Sequence, residues 1–130
     1  MKLLLDTCCI VWAVSEPSSL SKAAKTLLTA DESDIGVSVI SAAEIACAAE
    51  RGRIVIDRHW KKWFRYYIGL NGWQVEDIDL DIMEEAYSLP EAFHADPADR
   101  IIVATALYLG ADIITMDDRI QKAGLVKCIW

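Results

Sequence analysis

Residues 112–118 read DIITMDD, an apolar run followed by Thr115 and then by two adjacent acids. A single acid at such a point is typical of a turn, because Asp is favoured where a chain leaves a sheet. Residues 2–7, KLLLDT, repeat the pattern near the other end of the chain with Asp6 and Thr7. Two predicted strands therefore end in the same chemistry.

Strands alternate with helices along the whole chain, as apolar spacing, caps and turn residues indicate. The predicted strands are 2–6, 34–40, 72–78, 112–116 and 126–130. The predicted helices are one ending near 15, one within 16–30, and 41–52, 57–71, 79–90, 96–110 and 118–124. Such alternation is typical of a parallel sheet covered by helices on both faces. We therefore predict an α/β fold, an α/β/α sandwich formed as a single domain by residues 1–130.

The composition excludes several classes of protein. With 130 residues, 54% of them hydrophobic, the chain can bury a core. No uncharged apolar stretch reaches the roughly 18 residues that a membrane helix needs. Asp6 interrupts the apolar start before it could act as a signal peptide. The four cysteines show no C-x-x-C spacing, which favours reduced thiols. We expect a cytoplasmic protein without a membrane segment.

Acids also begin two of the predicted helices. Glu44 and Asp99 each fall in a first helical turn, which faces the same sheet edge as the carboxyl ends of the strands. The acids that could converge at this edge are Asp6, Glu44, Asp99 and Asp117. Like charges this close destabilise a fold unless a cation neutralises them. Carboxylate oxygens suit Mg²⁺ or Mn²⁺ rather than zinc.

Each acid taken alone also has a local interpretation. Glu44 fits a capping box with Ser41, and Asp99 fits an acid favoured by the helix dipole. Asp118 fits the N-cap of the last predicted helix. Asp6 directly follows an apolar run, offers no turn chemistry and is expected to need a partner.

Four blocks of sequence resemble a known family. They are MKLLLDT (1–7), the helix start with Glu44, HADPADRIIVATA (94–106) and IITMDDRI (113–120). Their order and spacing resemble those of PIN-domain ribonucleases, especially the VapC-like toxins of toxin–antitoxin modules. The resemblance implies a Mg²⁺- or Mn²⁺-dependent endoribonuclease that hydrolyses RNA, forms a homodimer and is neutralised by a cognate antitoxin.

The resemblance also implies roles for individual residues. The family's metal-binding acids correspond to Asp6, Glu44, Asp99 and Asp117. The residues that support them correspond to Thr7, Thr115 and the additional acid Asp96. Cys8 departs from the His that many members carry, so we expect no chemical role for it. His59 and His94 are too isolated in the sequence to form a catalytic dyad.

A basic stretch at residues 51–65 interrupts an otherwise acidic chain of net charge −7. The net charge disfavours nonspecific nucleic-acid binding, but a local basic patch can guide RNA phosphate toward an acidic pocket. The candidate RNA-binding residues are Arg51, Arg53, Lys61, Lys62 and Arg65. Two alternatives remain open: a solvated face over buried aromatics, or an aromatic surface for a second copy or an antitoxin.

Two other functions compete with the nuclease. A receiver-type phosphoacceptor domain has a similar size, but it needs adjacent acids after the first strand, where this chain has Asp6 and Thr7. Such a domain also needs a Lys after the last strand, whereas Lys127 lies within the predicted one. A PIN-like module that binds RNA or protein without cleavage is the second alternative, and the complete set of four acids argues against it.

Overall fold

The computed structural model describes residues 1–93 and 96–130, so that His94 and Ala95 lie outside the described residues. Five strands form one parallel sheet: β1 Lys2–Leu5, β2 Asp34–Ser38, β3 Gln74–Glu76, β4 Asp112–Ile114 and β5 Cys128–Ile129. The helices are α1 Thr7–Ser15, α2 Lys22–Thr29, α3 Val39–Glu50, α4 Trp60–Leu70, α5 Leu80–Ala86, α6 Pro97–Leu109 and α7 Asp118–Ala123. A 3₁₀ turn at Pro17–Ser19 separates α1 from α2.

The central strand β1 divides the core into two layers. Leu3 and Leu5 pack on one face against α1 to α4, while Leu4 packs on the other face against α6 and α7. All three leucines are fully buried. Successive side chains of a strand point to opposite faces, so an unbroken apolar run requires cover on both sides. The predicted α/β/α sandwich is confirmed.

The strands are hydrogen-bonded in the order β3-β2-β1-β4-β5. Receiver domains of the CheY type have the order 2-1-3-4-5. The receiver alternative is therefore wrong. The observed order places the ends of β1 and β4 side by side, with Leu5 opposite Ile114. The next residues of both strands, Asp6 and Thr115, consequently emerge together at the carboxyl edge of the sheet.

Two predicted helix caps are wrong, by three residues in α3 and by one residue in α7. Helix α3 is capped by Ser38, whose hydroxyl accepts from the N–H of Ile40, and not by Ser41. Glu44 therefore lies in the second turn and takes no part in a capping box. Helix α7 is capped by Asp117 rather than Asp118. In both cases two good capping residues stand close together, and the end of the preceding strand decides which one is used.

The remaining helix boundaries agree with the predictions only in part. Helix α6 has the expected Asp96 cap and ends at Gly110, whose φ of 64° suits glycine. Helix α5 ends at Ala86, four residues before the predicted stop at Pro90. No helix within the two described ranges is both long and apolar enough to cross a bilayer.

Most of the aromatic face of α4 is buried in the chain's own core. Trp63, Phe64 and Ile68 are buried against the sheet, while Trp60 and Tyr67 are half-buried. The first alternative for this segment, a charged face over buried aromatics, describes most of α4. Its apolar surface is therefore not by itself an argument for a dimer.

Candidate active site

Asp6 is held by contacts on both carboxylate oxygens. Its Oδ1 accepts from the N–H of Thr7 at 2.8 Å and caps α1, so the expectation that Asp6 offers no turn chemistry is wrong, although Asp6 also has the partner that was expected. Its Oδ2 accepts a 2.6 Å hydrogen bond from the hydroxyl of Thr115. The Thr115 hydroxyl in turn accepts from the N–H of Asp117 at 3.0 Å. Thr115 thereby ties the end of β1 to the segment that leads into α7.

Glu44 reaches the same edge from α3. The Thr7 hydroxyl donates to Glu44 Oε1 at 2.5 Å and also lies 2.8 Å from the Ser41 hydroxyl. Because Thr7 has only one hydroxyl proton, Ser41 is the donor in the second contact. Ser41 is fully buried, and the sequence prediction missed this positioning role because it used Ser41 as a cap.

Asp99 is the most perturbed of the four acids. It lies in the first turn of α6 and is only 7% exposed. Burial, followed by the negative charges of Asp96, Asp6, Asp117 and Glu44, raises its pKa from an ordinary 3.8 to about 7. Burial is also the main cause that raises the pKa of Asp6 and of Glu44. The acids therefore act on one another, as expected for a shared pocket.

Arg119 brings a positive charge into this pocket. Its Nη2 lies 3.6 Å from Asp99 Oδ2 and 3.3 Å from Asp117 Oδ2. Burial raises the pKa of Asp117, but hydrogen bonds from the side chain and backbone of Arg119 outweigh it and hold that pKa below its usual range. The prediction missed Arg119, because its place two residues after Asp117 indicates only the local contact and not the contact with Asp99.

A cleft of about 980 Å³ contains all of these charges. Its charged lining residues are Asp6, Glu44, Asp96, Asp99, Asp117, Arg51, Arg53 and Arg119. Val11, Trp12 and Ile54 give it an apolar wall. The structure thus brings the four predicted metal-binding acids and the additional acid Asp96 into one cavity.

The predicted basic residues separate into groups. Arg51 and Arg53 line the acidic cleft at the end of α3, where Gly52 turns the chain with a φ of 69°. Lys61 and Arg65 line a second groove of about 710 Å³ together with Trp60 and Trp73. Lys62 is exposed and lines neither cavity.

The donor chemistry of the cleft fits a hard divalent cation. Carboxylate and hydroxyl oxygens are the ligands that Mg²⁺ and Mn²⁺ prefer. Positive charge would relieve the repulsion that, together with the larger effect of burial, raises the pKa of Asp99. Among residues 1–93 and 96–130, no three His, Cys, Asp or Glu side chains already stand together as ligands of one ion. The donor set fits, and the side chains must adjust to bind the ion.

The fold is that of a PIN domain. The PIN-domain family model matches residues 3–125, and the chain belongs to that family. It is 34% identical over 121 residues to ribonuclease VapC22 of Mycobacterium tuberculosis. The aligned residues cover 92% of this chain and 90% of that protein. The predicted family is confirmed.

Solved structures share the fold at low sequence identity. VapBC2 of Rickettsia felis, bound to a DNA fragment from its promoter, matches with a TM-score of 0.73 and 15% identity over 99% of this chain and 98% of that chain. A toxin–antitoxin complex of Klebsiella pneumoniae matches with a TM-score of 0.68 and 23% identity over 98% of this chain and 96% of that chain.

Proposed function

We propose that this chain acts as one PIN domain and is a metal-dependent endoribonuclease, the toxin of a toxin–antitoxin pair. The observation that carries the proposal is the convergence of four carboxylates, supplied by separate elements, in one cleft. The similarity to a VapC ribonuclease supports RNA as the substrate. The alternative of a binding module without cleavage gives no reason to concentrate so many acids in one cleft.

Mg²⁺ or Mn²⁺ would be held by Asp6, Glu44, Asp99 and Asp117. Thr7, Thr115 and Asp96 would support these ligands. The bound ion supplies activation of water and neutralisation of charge on the phosphodiester, without a nucleophile from the protein.

The chain's own contribution is to hold its carboxylates in place and to receive the RNA backbone. The Thr7 and Thr115 hydroxyls orient Glu44 and Asp6. Arg51 and Arg53 lie in the same cleft as the acids and can contact phosphates next to the reacting one. Lys61, Lys62 and Arg65 lie outside this cleft. They would contact only an RNA that is long enough to extend beyond it.

The partners follow from the relatives. The structural neighbour from Klebsiella pneumoniae is a toxin–antitoxin complex, which supports a cognate antitoxin for this chain. We also propose a homodimer in the cytoplasm. Exposed apolar side chains of α5, including Leu80 and Met83, provide surface for either contact.

The direct test is RNA cleavage by the purified chain with Mg²⁺, with Mn²⁺ and with EDTA. Asp117→Asn should abolish cleavage while keeping the helix cap, because Asn caps as well as Asp. The neighbouring Asp118→Asn is the matched control, since Asp118 is 78% exposed and lies outside the cleft. Undiminished cleavage in EDTA by a nuclease-free preparation would refute the metal mechanism. RNA binding that survives in wild type without any cleavage would favour the binding module.

A further inference from the structure

Arg119 contacts two of the four proposed metal ligands at once. Its Nη2 lies within 3.6 Å of Asp99 Oδ2 and within 3.3 Å of Asp117 Oδ2. Oδ1 of Asp117 is already used, because it accepts the backbone N–H groups of Arg119 and Ile120 as the cap of α7. Oδ2 is therefore the oxygen of Asp117 that faces a cation, and Arg119 occupies it.

We propose that Arg119 is an internal counter-ion of the metal-free cleft and that the divalent ion displaces it. The inference rests on the metal site of the proposed function. It adds a second state to that site. Without metal, the guanidinium of Arg119 pairs with Asp99 and Asp117. With metal bound, the guanidinium leaves these carboxylates and turns toward solvent.

The geometry places the two cations in competition. Nη2 of Arg119 lies 3.6 Å and 3.3 Å from the two Oδ2 atoms, and Mg²⁺ binds oxygen at about 2.1 Å, so an ion bound to either oxygen would lie close to the guanidinium. Two positive charges a few ångströms apart repel, and more strongly in a partly buried cleft than in water. The ion therefore binds more tightly once the guanidinium has moved away.

Little packing opposes the movement of Arg119. Its side chain is 60% exposed, whereas the side chain of Asp99 is only 10% exposed. The backbone of Arg119 stays fixed by its bond to Asp117. The guanidinium can therefore exchange its carboxylate contacts for water by side-chain rotation alone, and α7 need not move.

Binding of Mn²⁺ alone, measured by calorimetry and electron paramagnetic resonance at low ionic strength, tests the proposal. Arg119→Gln should bind Mn²⁺ a few-fold to about tenfold more tightly than wild type, as expected for the removal of competing ion pairs. Lys122→Gln is the matched control. It removes the same charge from the same helix, but Lys122 pairs with the exposed Asp118 at 3.9 Å. Its affinity should change less than about twofold.

The results for these proteins distinguish a failure of this inference from a failure of the proposed function. If Asp117→Asn loses Mn²⁺ binding while Arg119→Gln binds as wild type does or more weakly, the metal site stands and the counter-ion is refuted. Equal tightening in Arg119→Gln and Lys122→Gln would also refute it, since long-range charge would then explain the effect. If wild type binds no Mn²⁺, the metal site of the proposed function fails, and the counter-ion proposal fails with it.

A measurement on the wild type guards against a variant that does not fold. The Nε–H signal of Arg119 in a ¹H–¹⁵N NMR spectrum, assigned with Arg119→Lys, should shift as Mg²⁺ is added and saturate with the binding curve. A signal that stays in place while the site fills would overturn the displacement.

Discussion

The Thr115 hydroxyl donates a 2.6 Å hydrogen bond to Asp6 Oδ2, although the two residues are 109 positions apart. The contact exists because β1 and β4 are parallel neighbours with Leu5 opposite Ile114. Thr115 is fully buried and Asp6 is 7% exposed, so water cannot easily replace this bond. One short contact therefore joins the two strand ends that carry the candidate site.

Removal of the Thr115 hydroxyl should cost both stability and activity. Thr115→Ala leaves a buried carboxylate without one donor, and we expect a loss of about 1–3 kcal/mol in the free energy of unfolding. Chemical denaturation and RNA cleavage measure the two effects. Thr115→Ser keeps the hydroxyl and should recover most of both. If Ser and Ala variants were indistinguishable, the hydroxyl would have no such role.

Asp99 should make the metal-free chain less stable as the pH rises. Its pKa is about 7 in the folded chain and near 3.8 when unfolded, so between these values the folded state binds the extra proton. Stability from this group is present below about pH 4 and is lost as the pH rises to about 7. When Asp99 is protonated or replaced, its ion pair with Arg119 is lost. This loss offsets part of the stability that is gained by removing the negative charge of Asp99.

The stability of Asp99→Asn relative to wild type should accordingly increase as the pH rises. In EDTA, the difference in melting temperature between variant and wild type should be larger at pH 8 than at pH 5, by on the order of 5 °C. Asp118→Asn, at an exposed position, should show the same small difference at both pH values. A constant difference for Asp99→Asn would mean that neither burial nor the neighbouring acids raise the pKa of Asp99.

The sequence predicted β1 and β4 well because each is a largely apolar run that is followed directly by an acid or a hydroxyl residue. It predicted the shared acid edge for the same reason, since parallel strands end on one side. It chose Ser41 and Asp118 as helix caps, where the structure uses Ser38 and Asp117. Each pair consists of good caps, and the register of the preceding strand selects one.

Arg119 shows a different limit of sequence reasoning. Its contact with Asp117 is local, but its contact with Asp99 depends on how α7 packs beside the first turn of α6. No spacing in the chain encodes that arrangement. The four acids were recognisable because each was predicted at a strand end or a helix start on the same edge of the sheet. A single arginine has no such pattern.

The chain should be a homodimer at micromolar concentration. Large apolar side chains remain exposed on the described surface, among them Leu80 at 72% and Tyr87 at 59%, both in or next to α5. Leu80→Asp should weaken association without unfolding the chain, because the side chain is not part of the core. Sedimentation equilibrium measures this. Monomers of the wild type at that concentration would contradict the dimer.

The arginines of the cleft should contribute to RNA affinity more than the lysines of α4. Arg53 is directed by the turn that ends α3, where its N–H bonds to the carbonyl of Ala48 at 2.8 Å. It lines the acidic cleft, whereas Lys62 is exposed and lines neither cavity. Arg53→Gln should raise the KM for RNA and reduce the slope of log affinity against log salt by about one, as the loss of one phosphate contact predicts. Lys62→Gln removes the same charge and should leave that slope unchanged for a short RNA. Equal effects of the two substitutions would mean that overall charge, and not a contact in the cleft, attracts the substrate.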